Sequence, residues 1–190
     1  MKYAFATTFV TVLAAASNPA ASYVSMTNNC PFPVFYSQAW HEGHSGDVMI
    51  EPNGGTGYEE MKEPFANGKT NGASLKFHKG DGLLRGILQF EYAKEYDGDK
   101  VPGIYWDFSH VDGDRPGVPG RSPFADVDVM VIPLGTGQGY GTCDDVYCSA
   151  GEICEGSYQY DKDDKKTKYC PLELELFEIE FCVMDGMKRV

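Results

Sequence analysis

The chain has 190 residues, 42% of them hydrophobic, and its 22 Gly and 11 Pro make up about 17% of it against about 12% in average proteins. That excess favours turns over long helices, and the hydrophobic share excludes a disordered polar tail and an integral membrane protein. A formal net charge of −12 repels phosphate backbones and anionic lipid, which argues against nucleic acid as a partner, and the length fits one domain.

Residues 1–16 read as a secretory leader. Met1-Lys2-Tyr3 is a short basic start, Ala4 to Ala16 is an apolar run too short to span a bilayer, and Ala14-Ala15-Ala16 is a small-residue cleavage site. A second possible cut follows Ala21. The mature chain, residues 17–190, is expected to be one soluble, secreted domain with no stable membrane insertion and no Asn-x-Ser/Thr acceptor for N-glycosylation.

Period-two patterns follow in chain order. Phe32 to Tyr36 is apolar and aromatic, and Ala73 to Phe77 alternates. In Gly86 to Tyr92, Leu88, Phe90 and Tyr92 share one face, while Ile87, Gln89 and Glu91 share the other. Ile104 to Val111 sets Ile104, Trp106 and Phe108 against Tyr105, Asp107 and Ser109. Asp126 to Ile132 alternates and then turns fully apolar. Glu173 to Phe181 alternates with a slip at Leu176-Phe177, which reads as a β-bulge. Turn clusters such as Asn53-Gly54-Gly55, Asn71-Gly72 and Asp112-Gly113 separate these runs. The nearest approach to a helical pattern, Tyr58 to Ala66, contains Pro64. Short strands with frequent turns predict an all-β sandwich or barrel.

Six cysteines in a secreted chain read as three disulfides with fifteen possible pairings. Cys30 stands near the mature N-terminus, and Cys143, Cys148, Cys154, Cys170 and Cys182 crowd the C-terminal part. Residues 143–170 are expected to form a cystine-tied excursion from the sheets. No Cys-x2-Cys pair supports zinc. His41-Glu42-Gly43-His44 has the wrong spacing for a zinc motif, and reads as a loop. Gly135 to Gly141 lacks the helix a phosphate cradle needs, and Asp161 to Asp164 lacks the glycine and terminal glutamate of a calcium loop. No metal and no cofactor is implied.

Three blocks carry a family resemblance. Thr27-Asn28-Asn29-Cys30-Pro31-Phe32-Pro33-Val34 resembles the opening strand of thaumatin-like proteins. Leu88-Gln89-Phe90, followed by Tyr105-Trp106-Asp107-Phe108-Ser109-His110-Val111-Asp112-Gly113, resembles their central strand pair. Cys154 to Asp164, leading to Cys170-Pro171 and Phe181-Cys182, resembles their C-terminal block. The short length, few cysteines and Pro-Phe-Pro-Val opening look most like the small fungal branch, the CetA-type or yeast-phase-specific secreted proteins.

The resemblance implies a thaumatin-like β-sandwich with a disulfide-tied C-terminal loop region and an acidic cleft between them. Carried over, two cleft aspartates fall on Asp107 and Asp112, and a third on Asp163 or Asp164. The cleft glutamate falls on Gln89, an amide, with Glu91 on the same strand face as a substitute. The cleft arginine has no clear counterpart beyond Arg85. The implied pairing is Cys30–Cys182, Cys143–Cys170 and Cys148–Cys154, and the implied ligand is β-1,3-glucan or another neutral wall polysaccharide. Sugar binding also wants aromatic faces, for which Tyr36, Trp40, Tyr92, Tyr96, Tyr105 and Tyr140 are available. Glycoside hydrolysis needs two carboxyl groups at set separations, and Glu91, Asp107 and Asp112 are the candidates; no catalytic residue is assigned among them. Three readings result: a cell-wall-associated glucan binder with little or no turnover, a protein-interaction or effector-like secreted module meeting a host or wall protein, and a weak endo-β-1,3-glucanase. Loss of the cleft glutamate favours the first over the third.

Overall fold

A computed structural model describes residues 22–64, 72–80, 86–96, 100–113 and 122–184. The expected leader over residues 1–16, its alternative cut after Ala21, and Arg85 lie outside the described residues.

Among the described residues, twelve strands form two sheets. The first sheet contains β1 (Tyr23–Asn28), β5 (Gly55–Glu60), β9 (Val129–Gly135), β10 (Val146–Cys148) and β12 (Leu174–Phe181), ordered β10-β9-β12-β1-β5. The second contains β2 (Val34–Trp40), β3 (Gly43–His44), β6 (Gly72–His78), β7 (Leu88–Glu95), β8 (Gly103–Ser109) and β11 (Lys168–Cys170), ordered β11-β8-β7-β6-β2-β3, with β4 (Val48–Ile50) also paired to β2. All pairings are antiparallel except β1 with β12. Among the described residues the helical content is one 3-10 turn, Asp164–Lys166.

Alternation decides which face each strand buries. Leu88, Phe90 and Tyr92 of β7 and Ile104, Trp106 and Phe108 of β8 all turn inward and are almost fully buried. They meet the inner face of β12. Phe177 lies 5.1 Å from both Phe90 and Trp106, and Phe181 lies 5.1 Å from Phe77 and 4.8 Å from Phe124, centroid to centroid. These tilted and edge-on contacts suit the aromatic quadrupole, and they form an aromatic cluster within a core that also holds aliphatic residues such as Val24, Leu75, Val131 and Ile179. The slip in β12 is real. Its register against β9 shifts between Leu174 and Leu176, which lets Leu174 and Phe177 both face the core.

Three disulfides join Cys30 to Cys182, Cys143 to Cys170 and Cys148 to Cys154, the pairs implied by the resemblance. The first continues a ladder: Asn28 pairs with Phe181 at the ends of β1 and β12, and Asn29 N–H donates to the Phe181 carbonyl at 3.0 Å. Asn28 itself is buried and fixes the opening segment. Its side-chain amide donates to the carbonyls of Phe32, Ile50 and Glu51, while its oxygen accepts from Cys30 N–H.

Segment 143–170 is less of an excursion than its composition suggests. Its β10 joins the first sheet beside β9, and its β11 joins the second beside β8. Between them Tyr158 forms a bridge to Ser109, with Tyr158 N–H donating to the Phe108 carbonyl and His110 N–H donating to that of Tyr158, both at 2.8 Å. The segment therefore clamps the sheet edges and stands as a wall over the outer face of β8.

Candidate functional site

The inward packing of β6, β7 and β8 forces the intervening residues onto the outer face of the second sheet. Register then builds two rows. Ser74, Glu91 and Asp107 are direct cross-strand neighbours, and Lys76, Gln89 and Ser109 form the next row. All of these but Ser109 floor a trough of about 570 Å³, flanked by Trp40 and Tyr105 on the sheet and by Tyr158 from the cystine-tied wall. A neighbouring recess adds Asp112, Asp161 and Lys162 to the same floor.

Gln89 is held at both ends. Its Oε1 accepts from Ser74 Oγ at 3.2 Å, and its Nε2 donates to Asp112 Oδ2 at 3.1 Å. An amide here satisfies Asp112, where a carboxylate would repel it.

The carboxyl groups are electrostatically strained. Burial and the adjacent Glu91 push Asp107 up from 3.8 to about 7. Its Oδ1 is buried with no hydrogen-bond partner. Glu91 is also raised, chiefly by burial, with Lys76 opposing and Asp112 adding to the shift, and Ser109 hydrogen-bonding the carboxylate. Near neutral pH Asp107 is therefore partly protonated, and burial with the neighbouring charges also resists ionisation of Glu91.

Behind the wall, His110 is buried with its ring edge-on to Phe108 and its Nδ1 2.9 Å from Ser157 Oγ. Ser157 Oγ donates to the Cys154 carbonyl and accepts from Gln159 Nε2, which leaves His110 Nδ1 as the donor. Burial pushes this imidazole down to about 4.

The structure brings Gln89, Glu91, Asp107 and Asp112 together in the adjoining trough and recess. Asp163 and Asp164 do not line them. Asp163 is buried at the start of the 3-10 turn, where its carbonyl accepts from Lys166 N–H, and Asp164 is exposed beside the Tyr158 hydroxyl. Among the aromatic candidates, Tyr36 is a core residue with a bonded hydroxyl, Tyr96 donates to Glu63, Tyr140 is exposed outside the trough, and Trp40, Tyr105 and the largely buried Tyr92 line it. Sequence reasoning missed Ser74, Lys76 and Tyr158. The alternation of β6 placed the first two opposite Leu75, but only strand order shows that β6 lies beside β7.

The two-sheet sandwich with its disulfide-tied C-terminal region is a thaumatin-like fold. Residues 11–182 match the family model described as Blastomyces yeast-phase-specific protein, Bys1, and the chain belongs to that family. An antigenic thaumatin-like protein of Arthroderma benhamiae is 29% identical over 143 residues, which cover 75% of this chain and 62% of the relative. The chain thus spans less than two thirds of that curated relative's length. The crystal structure of the protein elicitor MoHrip2 from Magnaporthe oryzae shares the fold, with a TM-score of 0.61 and 22% identity over 86% of this chain and 100% of that one. The thaumatin-like xylanase inhibitor TLXI aligns with a TM-score of 0.47 and 13% identity over 84% of this chain and 99% of its own.

Proposed function

We propose that this is a secreted, cell-wall-associated protein that holds β-1,3-glucan in the trough on the outer face of β6, β7 and β8, with little or no turnover. The observation that carries the reading is the floor itself: hydroxyl, amide and carboxyl groups in two registered rows between Trp40, Tyr105 and Tyr158. Such a floor offers many hydrogen bonds to sugar hydroxyls, and the flanking rings offer apolar faces to the pyranose. A neutral glucan meets no repulsion from a chain of net charge −12, whereas an acidic polysaccharide does. Gln89 at the position of the family's acid, already engaged at both ends, supports binding without hydrolysis.

One observation favours a second reading, weak hydrolysis. Asp107, raised to about 7 beside Glu91, supplies the protonated acid and neighbouring carboxylate that glycoside cleavage uses.

Sedimentation with insoluble β-1,3-glucan, with cellulose and chitin as controls, tests both. Retention on β-1,3-glucan without soluble sugar supports the binding reading. Release of soluble oligosaccharide in the same tube supports the second. Protein left in the supernatant with all three polymers overturns both and favours a protein-interaction role.

A further inference from the structure

The sheet face that carries the trough continues past β6. A second cavity, of about 820 Å³, lies over β2 and β6 and shares Ala39 and Lys76 with the trough. Ser37 and His78 floor it, the segment after β3 walls it with Ser45 and Asp47, and Ile87 and Asp112 close the far side.

This arm is fixed by bonds within the chain. Ser45 Oγ accepts from Gln38 N–H, and Ser45 N–H donates to the Gln38 carbonyl, each at 2.8 Å. His78 Nδ1 accepts from Gly80 N–H at 3.2 Å, so its Nε2 is the nitrogen that faces Asp47 Oδ2, also at 3.2 Å. Ile87 N–H donates to the Asp112 carbonyl at 2.7 Å, and the Asp112 carboxylate reaches back to Gln89 in the trough. The two arms therefore meet at three residues: small Ala39, cationic Lys76 and Asp112, which joins them through Gln89.

We infer that the two arms form one track and that a single neutral glucan chain lies across both, the β2–β3 arm being an additional subsite that raises affinity with chain length. The inference rests on the glucan reading above. The second arm presents serine hydroxyls, imidazoles and the side of Ile87, a mixture suited to a polyhydroxylated chain. Lys76 is offset by the charge of Glu91 in the trough, and Asp47 and Asp112 line the second arm with it, which leaves no surplus positive charge for an anionic polymer. Because the polar groups are already fixed, a longer chain gains contacts at little cost in protein ordering.

Titration with purified β-1,3-linked gluco-oligosaccharides, trimer against hexamer, tests the track. The full chain is expected to bind the hexamer about tenfold or more tightly than the trimer. Ser37→Trp fills the second arm and is expected to bring that ratio close to one. Asp47→Ala, at an exposed position beside His78, is expected to lower it several-fold. In the hexamer complex, amide resonances of Ser45 and Ile87 should shift together with those of Glu91 and Asp107. Equal affinity for trimer and hexamer, an unchanged ratio in both variants, or shifts confined to Glu91 and Asp107 would overturn the track and leave the glucan reading standing. Absence of binding at every length overturns the glucan reading, and the track with it.

Discussion

Glu91 and Asp107 face one another across the β7–β8 ladder, and Asp107 Oδ1 is sealed from solvent with no hydrogen-bond partner. Two carboxyl groups on adjacent strands, both partly withdrawn from water, resist double ionisation. The trough therefore contains an unusual floor for an acidic protein: a carboxyl group that donates as well as accepts near neutral pH.

Binding should register this directly. Asp107→Ala and Asp112→Ala are expected to weaken retention on insoluble β-1,3-glucan while the protein stays folded. Asp107→Asn keeps a donor and an acceptor in the same space and is expected to retain more binding than Asp107→Ala. Sedimentation of the three variants, with circular dichroism as the folding control, checks the order. Full retention in both alanine variants would remove these carboxyl groups from the site.

Gln89→Glu tests whether the amide is a structural requirement. The substitution removes the donor to Asp112 and places a third carboxyl group beside Asp112 and Glu91 at a position only 5% exposed. A buried acceptor facing another acceptor costs about 1–3 kcal/mol. Thermal unfolding at pH 7 should show that loss, and the deficit should shrink as the carboxyls protonate at lower pH. A variant as stable as the parent at pH 7 would refute the role given to this amide.

How far the sequence could lead depended on side chains that report a buried face. β7, β8 and β12 were legible because large apolar residues alternate with polar ones, and the β12 slip was legible because Leu176-Phe177 breaks that alternation. β5 was hidden. Gly55 and Gly57 have no side chain to display a period, and a Cβ at Gly57 would stand a tight 3.2 Å from the side chains of Met26, Tyr36 and Ile50. β10 and β11, three residues each, are too short to carry a pattern. The grouping of Gln89, Glu91, Asp107 and Asp112 followed from the two-residue period and the family resemblance. Tyr158 did not, because the bridge to Ser109 that brings it over the floor joins residues far apart in an aperiodic segment.

The disulfides should rank by the loops they close. Their sequence separations are 152, 27 and 6 residues for Cys30–Cys182, Cys143–Cys170 and Cys148–Cys154. In the chain-entropy model each taken alone contributes about 5, 3.5 and 2 kcal/mol. Replacing Cys30 and Cys182 together by Ser should lower the denaturant midpoint most, and replacing Cys148 and Cys154 least. The reverse order would mean that local clamping of the wall outweighs the entropy of the long loop.

Asp107 and His110 should impose opposite pH dependences on folding, which nearly cancel in the parent chain. Asp107 titrates near 3.8 when unfolded and at about 7 in the fold, so between those values the unfolded chain binds fewer protons. Its contribution to stability therefore falls as pH rises through that window. His110 titrates near 6.5 when unfolded and at about 4 in the fold, so there the unfolded chain binds more protons. Its contribution rises with pH from about 4 to 6.5 and is lost on acidification. Each linkage is on the order of 3–4 kcal/mol over its full window. Asp107→Asn removes the first, so that variant should lose more stability than the parent between pH 6.5 and 4. His110→Phe removes the second, so that variant should gain relative to the parent over the same interval, whatever its absolute stability. The double variant should return close to the parental slope. Denaturant unfolding of all four proteins at the two pH values supplies the comparison. If both single variants keep the parental difference, the two buried groups are not the source of the pH dependence.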